Sequence, residues 1–466
     1  MNQKLKITGI GALALTAIGC VDQPKDQRPN IIFVLADDIG AEAFGCYGGV
    51  SYETPNIDEL ARQGVLYSNM HSMPLSCPSR VQAMTGVYND RNYVNFGYIN
   101  DDEHTFAQLA QTAGYSTAMV GKWQLGRSRE IPGKLGFDEW CLNQLEMYKE
   151  FAPGTMGKYT DRYANSYIDN NGRYDLSLYG PDAFQNYCYD FIDRMVASGK
   201  PFLLYYNTPL VHTPHTPTPD SESWDLDYAG RFIGDVKNFP DMVAYLDKQV
   251  GQLVNHLKTA GIWDNTILIF TADNGTSTRI VSELADGTKV RGGKGTPLHT
   301  GTHVPLIITW GDKIEKGRVC NRLVDLTDFM PTFADAMQVQ IPAEWYPDGV
   351  SLYPELVGDT PLEKKLILCH FNPLWPTATP SPLASRFAQT ADYKYYWDGR
   401  FYNVSNDLNE ENPLDVSHLS EEVQTVYTML KTKVDEFPDF YPDKPGAPRR
   451  GNYGTFYDFA DPQNPF

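Results

Sequence analysis

Asn30-Ile31-Ile32-Phe33-Val34-Leu35-Ala36-Asp37-Asp38 (NIIFVLADD, residues 30–38) decides the fold class. The run is almost wholly apolar and ends abruptly in two carboxylates. Without polar alternation it suits a strand buried on both faces, as in a parallel sheet covered by helices. Ser116–Val120, Phe202–Tyr206, Thr266–Thr271 and Pro305–Thr309 read the same way. Helical patterns lie between them. Met242, Leu246, Val250, Leu253 and Leu257 follow one helical face, and Phe106, Leu109 and Ala110 mark another. This alternation predicts an α/β fold with a large, mainly parallel central sheet flanked by helices.

From about Pro361 the character changes. Lys365–His370, Tyr393–Trp397 and Arg400–Val404 read as short strands, with Asp398-Gly399 as a hairpin turn. Leu419–Phe437 reads as an amphipathic helix, and a tail rich in Pro, Asp and aromatics follows from Pro438. A smaller C-terminal subdomain with a short antiparallel sheet and a helix is therefore expected over residues 361–466.

The 466-residue chain has 58 acidic and 39 basic side chains, for a formal charge of −19. Phosphate backbones need a basic surface, so no nucleic-acid partner is expected. A local cationic pocket for a small anion is compatible with that charge.

At the N-terminus Lys4 and Lys6 precede the apolar stretch Ile7–Ile18, and Gly19-Cys20 closes it. This pattern reads as an export signal over residues 1–20, too short to span a membrane. A small residue before Cys20 also resembles a bacterial lipobox, so Cys20 is either a lipid anchor or a point of plain cleavage. Residues 21–27 suit a tether. The expected location is the periplasm or cell surface of a bacterium. The six later cysteines (Cys46, Cys77, Cys141, Cys188, Cys320, Cys369) show no zinc spacing. Buried free thiols are expected, with no specific disulfide.

The chemistry-bearing residues follow the strands, where open α/β sheets place ligands. Asp37-Asp38 follows the first run and Asp273-Asn274-Gly275 follows Thr266–Thr271. One such pair reads equally as a turn or a cap. Two pairs in matching contexts favour a hard divalent cation held by oxygen. Ser76-Cys77-Pro78-Ser79-Arg80 opens a helix, with Pro78 in its first turn. Ser76 beside that N-terminus reads either as an ordinary capped start or as an anion site.

Ser-x-Pro-Ser-Arg followed by Met84-Thr85-Gly86 resembles the signature of the type I sulfatases. Further blocks match in that family's order: RPNIIFVLADDIG (28–40), GKWQLG (121–126), His212-Thr213-Pro214, TADNG (271–275) and GGKGTPLHTGTHVP (292–305). The resemblance runs from Arg28 to about Pro342, and Arg400–Pro413 is similar to the family's C-terminal segment. It implies an alkaline-phosphatase-like fold, with a catalytic domain expected over 28–360.

By that resemblance the residue two before Pro78 is oxidised to formylglycine. Here it is Ser76, not Cys77, which is similar to the serine-type sulfatases matured by an anaerobic radical enzyme. The resemblance implies one Ca²⁺ held by Asp37, Asp38, Asp273, Asn274 and the oxidised Ser76. The aldehyde hydrate is the nucleophile toward sulfur; a plain alcohol would be trapped after the first step. Arg80 resembles the arginine that orients the nucleophile. Lys122 resembles the lysine bridging nucleophile and sulfate, and Lys294 the second sulfate lysine. His212 resembles the sulfate-binding histidine and candidate general acid. His215-Thr216-Pro217 repeats its tripeptide, but His212 is nearer the strand end, which leaves His215 to the substrate pocket.

One position departs from the pattern. The family usually has His where this chain has Gln124, and glutamine cannot take up a proton at neutral pH. Gln124 is expected to position substrate, with His299 and His303 as further substrate-side candidates near Lys294.

The leading expectation is hydrolysis of sulfate esters on a sulfated glycan, such as a glycosaminoglycan. The exported acidic body suits a polymer better than a steroid. Trp375, Arg386 and Trp397 read as core or edge packing, with sugar contact as the second reading. Two other functions compete: a phosphoric ester hydrolase on the same fold, and a non-catalytic lipoprotein that binds sulfated glycan. Ser-x-Pro-Ser-Arg and the nine histidines disfavour the first. The full set of acidic and basic site residues disfavours the second.

Overall fold

The computed structural model describes residues 28–93, 96–126, 129–143, 162–164, 166, 168–171, 173–175, 179–225, 234–360, 363–373 and 383–437. The export signal, the tether, Cys20, Trp375 and the tail from Pro438 lie outside the described residues.

The strands in chain order are β1 (Asn30–Ala36), β2 (Val65–His71), β3 (Ser116–Lys122), β4 (Glu139–Asn143), β5 (Ile168–Asn170), β6 (Arg173–Asp175), β7 (Phe202–Asn207) and β8 (Thr266–Ala272). They continue with β9 (Val281–Glu283), β10 (Lys289–Arg291), β11 (Leu306–Thr309), β12 (Arg318–Asp325), β13 (Ile367–Phe371), β14 (Ser385–Gln389), β15 (Tyr393–Tyr396) and β16 (Phe401–Asn403). Ten of them form one sheet in the order β12-β2-β11-β8-β1-β7-β3-β4-β5-β6. β1 sits inside it, parallel to both β7 and β8, and every residue of β1 is buried.

Both faces of this sheet are covered, which is why its central strands lack polar alternation. Phe33 of β1 stacks on Tyr205 of β7 at 5.1 Å and meets Phe329 at 4.4 Å. Phe106 and Phe333 join the same cluster, so the helices Phe106–Thr112 and Phe329–Met337 cover that face. The next residue, Tyr206, points the other way, its hydroxyl 3.5 Å from Gln249 of the helix Phe239–Thr259. In that helix Asp247 accepts from the Ile57 N–H at 2.8 Å and from Asn56 Nδ2 at 2.7 Å, capping the helix Pro55–Arg62.

One expected strand differs in direction. Pro305–Thr309 reads as another parallel strand, but β11 is antiparallel to both β8 and β2. A short apolar run reports burial on two faces and carries no sign of direction. β2, β4, β5, β6 and β12 are additional strands of this sheet.

β13 to β16 form a separate antiparallel sheet in sequence order. β14 is the one strand here not expected from the sequence. One face packs Ala388, Tyr395 and Phe401 against Leu430 and Val434 of the helix Glu421–Asp435. The other packs Phe371, Phe387, Tyr396 and Tyr402 against Met73, with Leu75 alongside. All six described cysteines are free thiols, five buried and Cys46 half-buried.

Candidate active site

Four neighbouring strands end at one place. β8 delivers Asp273 and Asn274, β1 delivers Asp37 and Asp38, β7 ends at Asn207 and β3 at Lys122. Because they run parallel, their carboxyl ends share one edge of the sheet. The helix Ser76–Thr85 starts beside that edge and is buried along its whole length.

Ser76 Oγ lies 3.4 Å from Asp37 Oδ1 and 3.3 Å from Asn274 Oδ1. Lys122 Nζ donates to it at 2.9 Å and also reaches Asp37 Oδ2 at 2.8 Å. Burial pushes the Lys122 ammonium below its ordinary pKa, against the pull of Asp37 and Asp273. Close approach of the backbones supports this corner. At Gly121 (φ 98°) a Cβ would sit 1.9 Å from Asn207 O, so only glycine fits before Lys122.

Arg80 forms no hydrogen bond with the Ser76 hydroxyl. Its guanidinium donates to Asp273 Oδ2 at 2.8 Å and to Asn207 Oδ1, fully buried. Burial opposes its charge, but Asp273 and Asp37 outweigh that and hold its pKa above the usual value. Asp38 receives Asn274 Nδ2 at 2.9 Å on one oxygen and Lys294 Nζ on the other. Lys294 Nζ is also 2.9 Å from His212 Nε2, which lies 3.6 Å from Asp38 Oδ2. Burial first, then Arg162, Lys294 and Lys122, drive the His212 pKa far down. The ring is therefore neutral, with Nδ1 directed at Thr213 O and Nε2 accepting from Lys294.

Three buried carboxylates thus face Arg80, Lys122 and Lys294, and Arg162 stands 3.8 Å from Asp37. Ligand atoms of Asp37, Asp38 and His212 all lie within 4.8 Å of one another. The oxygens of Asp37, Asp38, Asp273 and Asn274 form a hard donor set that fits an oxygen-loving divalent cation.

The remaining candidates are Gln124 and three histidines. His215 is buried with Nε2 unpartnered, its ring edge-on to Phe239. Burial, then Arg279 and Lys294, lower its pKa to about 4. Gln124 follows β3 in a left-handed conformation (φ 56°), its buried Oε1 without a partner and its carbonyl accepting from the Cys77 thiol at 3.3 Å. His299 and His303 stack on each other at 4.7 Å, and His71 meets them edge-on at 5.3 Å and tilted at 5.4 Å. His303 Nε2 faces Ser68 O at 2.8 Å, so this trio is a buried packing unit apart from the carboxylate cluster. Trp397 carries the Arg386 guanidinium on its face at 5.4 Å.

Two site residues escape sequence reasoning. Asn207 carries the signal used for Asp37 and Asp273, a polar residue ending a buried strand. Arg162 lies in a stretch with no periodic pattern.

Residues 29–339 match the family model described as Sulfatase. The N-acetylgalactosamine-6-sulfatase of Canis lupus familiaris is 30% identical over 377 residues, covering 74% of this chain and 69% of that protein. The N-acetylglucosamine-6-O-sulfatase of Bacteroides thetaiotaomicron is 26% identical over 510 residues, covering 91% and 87%. Among solved structures, Ps i-CgsB in complex with k-i-k-neocarrahexaose superposes with a TM-score of 0.71 at 24% identity, over 88% of this chain and 92% of that one. That likeness speaks for the fold, which is alkaline-phosphatase-like. With two thirds of its length matching the family model and the strand-end cluster in place, the chain belongs to the sulfatase family, the hydrolases of sulfuric esters.

Proposed function

We propose that this protein is an exported bacterial sulfatase of the serine type. It hydrolyses sulfate esters on a glycan, using formylglycine made from Ser76 and one Ca²⁺. The observation that carries this reading is the placement of Ser76 Oγ, 2.9 Å from Lys122 Nζ and 3.3–3.4 Å from Asn274 and Asp37. A sulfated carbohydrate substrate is supported by relatives named for N-acetylgalactosamine and N-acetylglucosamine sulfates. The maturing enzyme is a serine-type one, and Cys20 is either the lipid anchor or the point of plain cleavage. No helix among the described residues is long and apolar enough to cross a membrane.

Asp37, Asp38, Asp273 and Asn274 would hold the cation, which when bound polarises sulfate oxygens and stabilises developing negative charge. Oxidised Ser76 supplies a nucleophile that can release sulfate afterwards, which a plain alcohol cannot do. The other residues act by position. Arg80 fixes Asp273 and so the donor set. Lys122 holds a positive charge against both the nucleophile and Asp37. Lys294 and His212 bind the transferring sulfate, and the proton that Lys294 shares with His212 Nε2 is the one available to the leaving oxygen. Gln124 and His215 are assigned to the substrate side, Gln124 as a hydrogen-bonding amide that does not titrate, while His299 and His303 pack on His71 behind the loop of Lys294.

The test is mass spectrometry of the tryptic peptide Gln63–Arg80 from protein made beside a serine-type maturing enzyme. Loss of two hydrogens at Ser76, with aldehyde-reactive labelling, is the expected result. An unmodified Ser76 under those conditions overturns the formylglycine assignment.

A further inference from the structure

The loop that carries Lys294 is gripped from outside the large sheet. Glu410, which follows β16, has a fully buried carboxylate. Its Oε1 accepts from the His299 backbone N–H at 2.7 Å and from Lys394 Nζ of β15 at 3.0 Å. Its Oε2 accepts from the Tyr396 hydroxyl. The same two side chains reach one residue of the loop: Lys394 Nζ donates to Pro297 O, and the Tyr396 oxygen lies 2.9 Å from it. Lys394 has three protons and serves both acceptors; Tyr396 has one, which goes to the carboxylate.

This arrangement exceeds what holding two layers together needs. Burying an ammonium and a carboxylate is costly, and an apolar pair would serve packing as well. Lys394 bears that cost at zero exposure, 4.0 Å from the Phe387 ring, with burial pulling its pKa down against Glu410. Glu410 also adopts a left-handed backbone (φ 55°), which a non-glycine residue keeps only where its surroundings impose it. Within the loop, Gly293 packs so tightly that a Cβ would lie 2.5 Å from Gly301 N. The strap before the nucleophile is tied to the same unit: Gly295 N donates to Pro74 O at 2.8 Å, and Met73 packs on Phe371, Phe387 and Tyr396.

We propose that Glu410, with Lys394 and Tyr396, is a positioning residue of the sulfatase site. It holds the Pro297–His299 turn, and with it Lys294, at a fixed distance from Ser76. The small sheet is then a clamp on two loops that carry site residues. The proposal rests on the reading of Lys294 as a sulfate-binding lysine.

The test pairs Glu410→Leu with Lys394→Met in one chain, removing both buried charges and the two contacts these residues make to the loop, and leaving the Tyr396 hydroxyl near Pro297 O. An apolar replacement of a buried pair keeps stability near the parent's. The readouts are KM for a sulfate ester, Ki for inorganic sulfate, kcat and the melting temperature. A purely structural loss lowers the folded fraction, hence kcat, and leaves KM and Ki unchanged. Displacement of Lys294 raises both by about tenfold; unchanged KM and Ki overturn the proposal. If the double variant does not fold, Tyr396→Phe removes one oxygen from the same clamp. A rise in sulfate Ki of about threefold is then expected, and no rise overturns the proposal. Lys294→Ala in the parent separates the two readings: an unchanged Ki there removes the lysine assignment itself.

Discussion

Arg80 and Asp273 meet at 2.8 Å with neither side chain exposed. Each is the other's main compensation for burial, and Asn207 satisfies a second Arg80 nitrogen. Arg80→Ala leaves a buried carboxylate beside two others. We expect it to cost about 3–5 kcal/mol, read as a lower denaturant midpoint at unchanged slope.

Lys122 should separate stability from catalysis. Its ammonium stabilises the anionic corner at Ser76 and Asp37. Lys122→Met is expected to lower kcat/KM by about 10²-fold or more. Removing a positive charge beside the carboxylates also favours a cation there, so Ca²⁺ affinity by calorimetry should be unchanged or tighter. Weaker binding would count against Asp37 as a ligand.

Chelation should both silence and soften the protein. A ligand at one hundred times its Kd adds about 2.7 kcal/mol to stability. Melting with EDTA and again with Ca²⁺ should differ accordingly, and Asp38→Ala should abolish the difference. An equal shift in that variant would place the cation elsewhere.

Acid should weaken the fold through the stack of His71, His299 and His303. Burial holds all three below their ordinary pKa. The unfolded chain takes up protons below about pH 6.5, whereas the folded chain refuses them. The stabilisation is therefore complete above that pH and is lost as pH falls through the folded values. Melting temperatures at pH 7.5 and 5.0 should show the decline, and His71→Gln should make it shallower.

Cys77 should be inert although it adjoins the nucleophile. Burial pushes its thiol up to about 12, and it lies between Gln124 O and Gly97 N. Alkylation of the native protein, mapped by peptide mass, should spare it until denaturant is added.

The sheet and most of the site were legible because both are written locally. A run such as Phe202–Tyr206 states its burial in its own composition, and Asp37, Asp273 and Lys122 stand where such runs stop. What was not legible depends on partners distant in the chain. The reversed direction of β11 follows from its neighbours β8 and β2. That Arg80 pairs with Asp273 follows from β8 ending within its reach. His299 and His303 follow Lys294 closely in sequence, yet their rings pack on His71, because the chain turns at Pro297 under Glu410 and Lys394. Glu410 itself sits in a polar surface-like segment, and no periodicity marks it as buried.

The reversal of β11 also governs how this site tolerates change. β8 leaves the large sheet at the site edge, and β11 re-enters at the same edge. Everything between them, from Asp273 to Pro305, is one excursion whose crown is tied to the segment Gly48–Ser51. The root carries Asp273, Asn274 and Lys294; the crown is the hairpin β9–β10, turning through the exposed Asp286-Gly287. Only the turn at Asp286-Gly287 projects past those bonds, so a change of length is tolerated there with the root left in place. The antiparallel return of β11 thus lets one excursion carry both halves of the charge cluster, acid from its start and base from its descent.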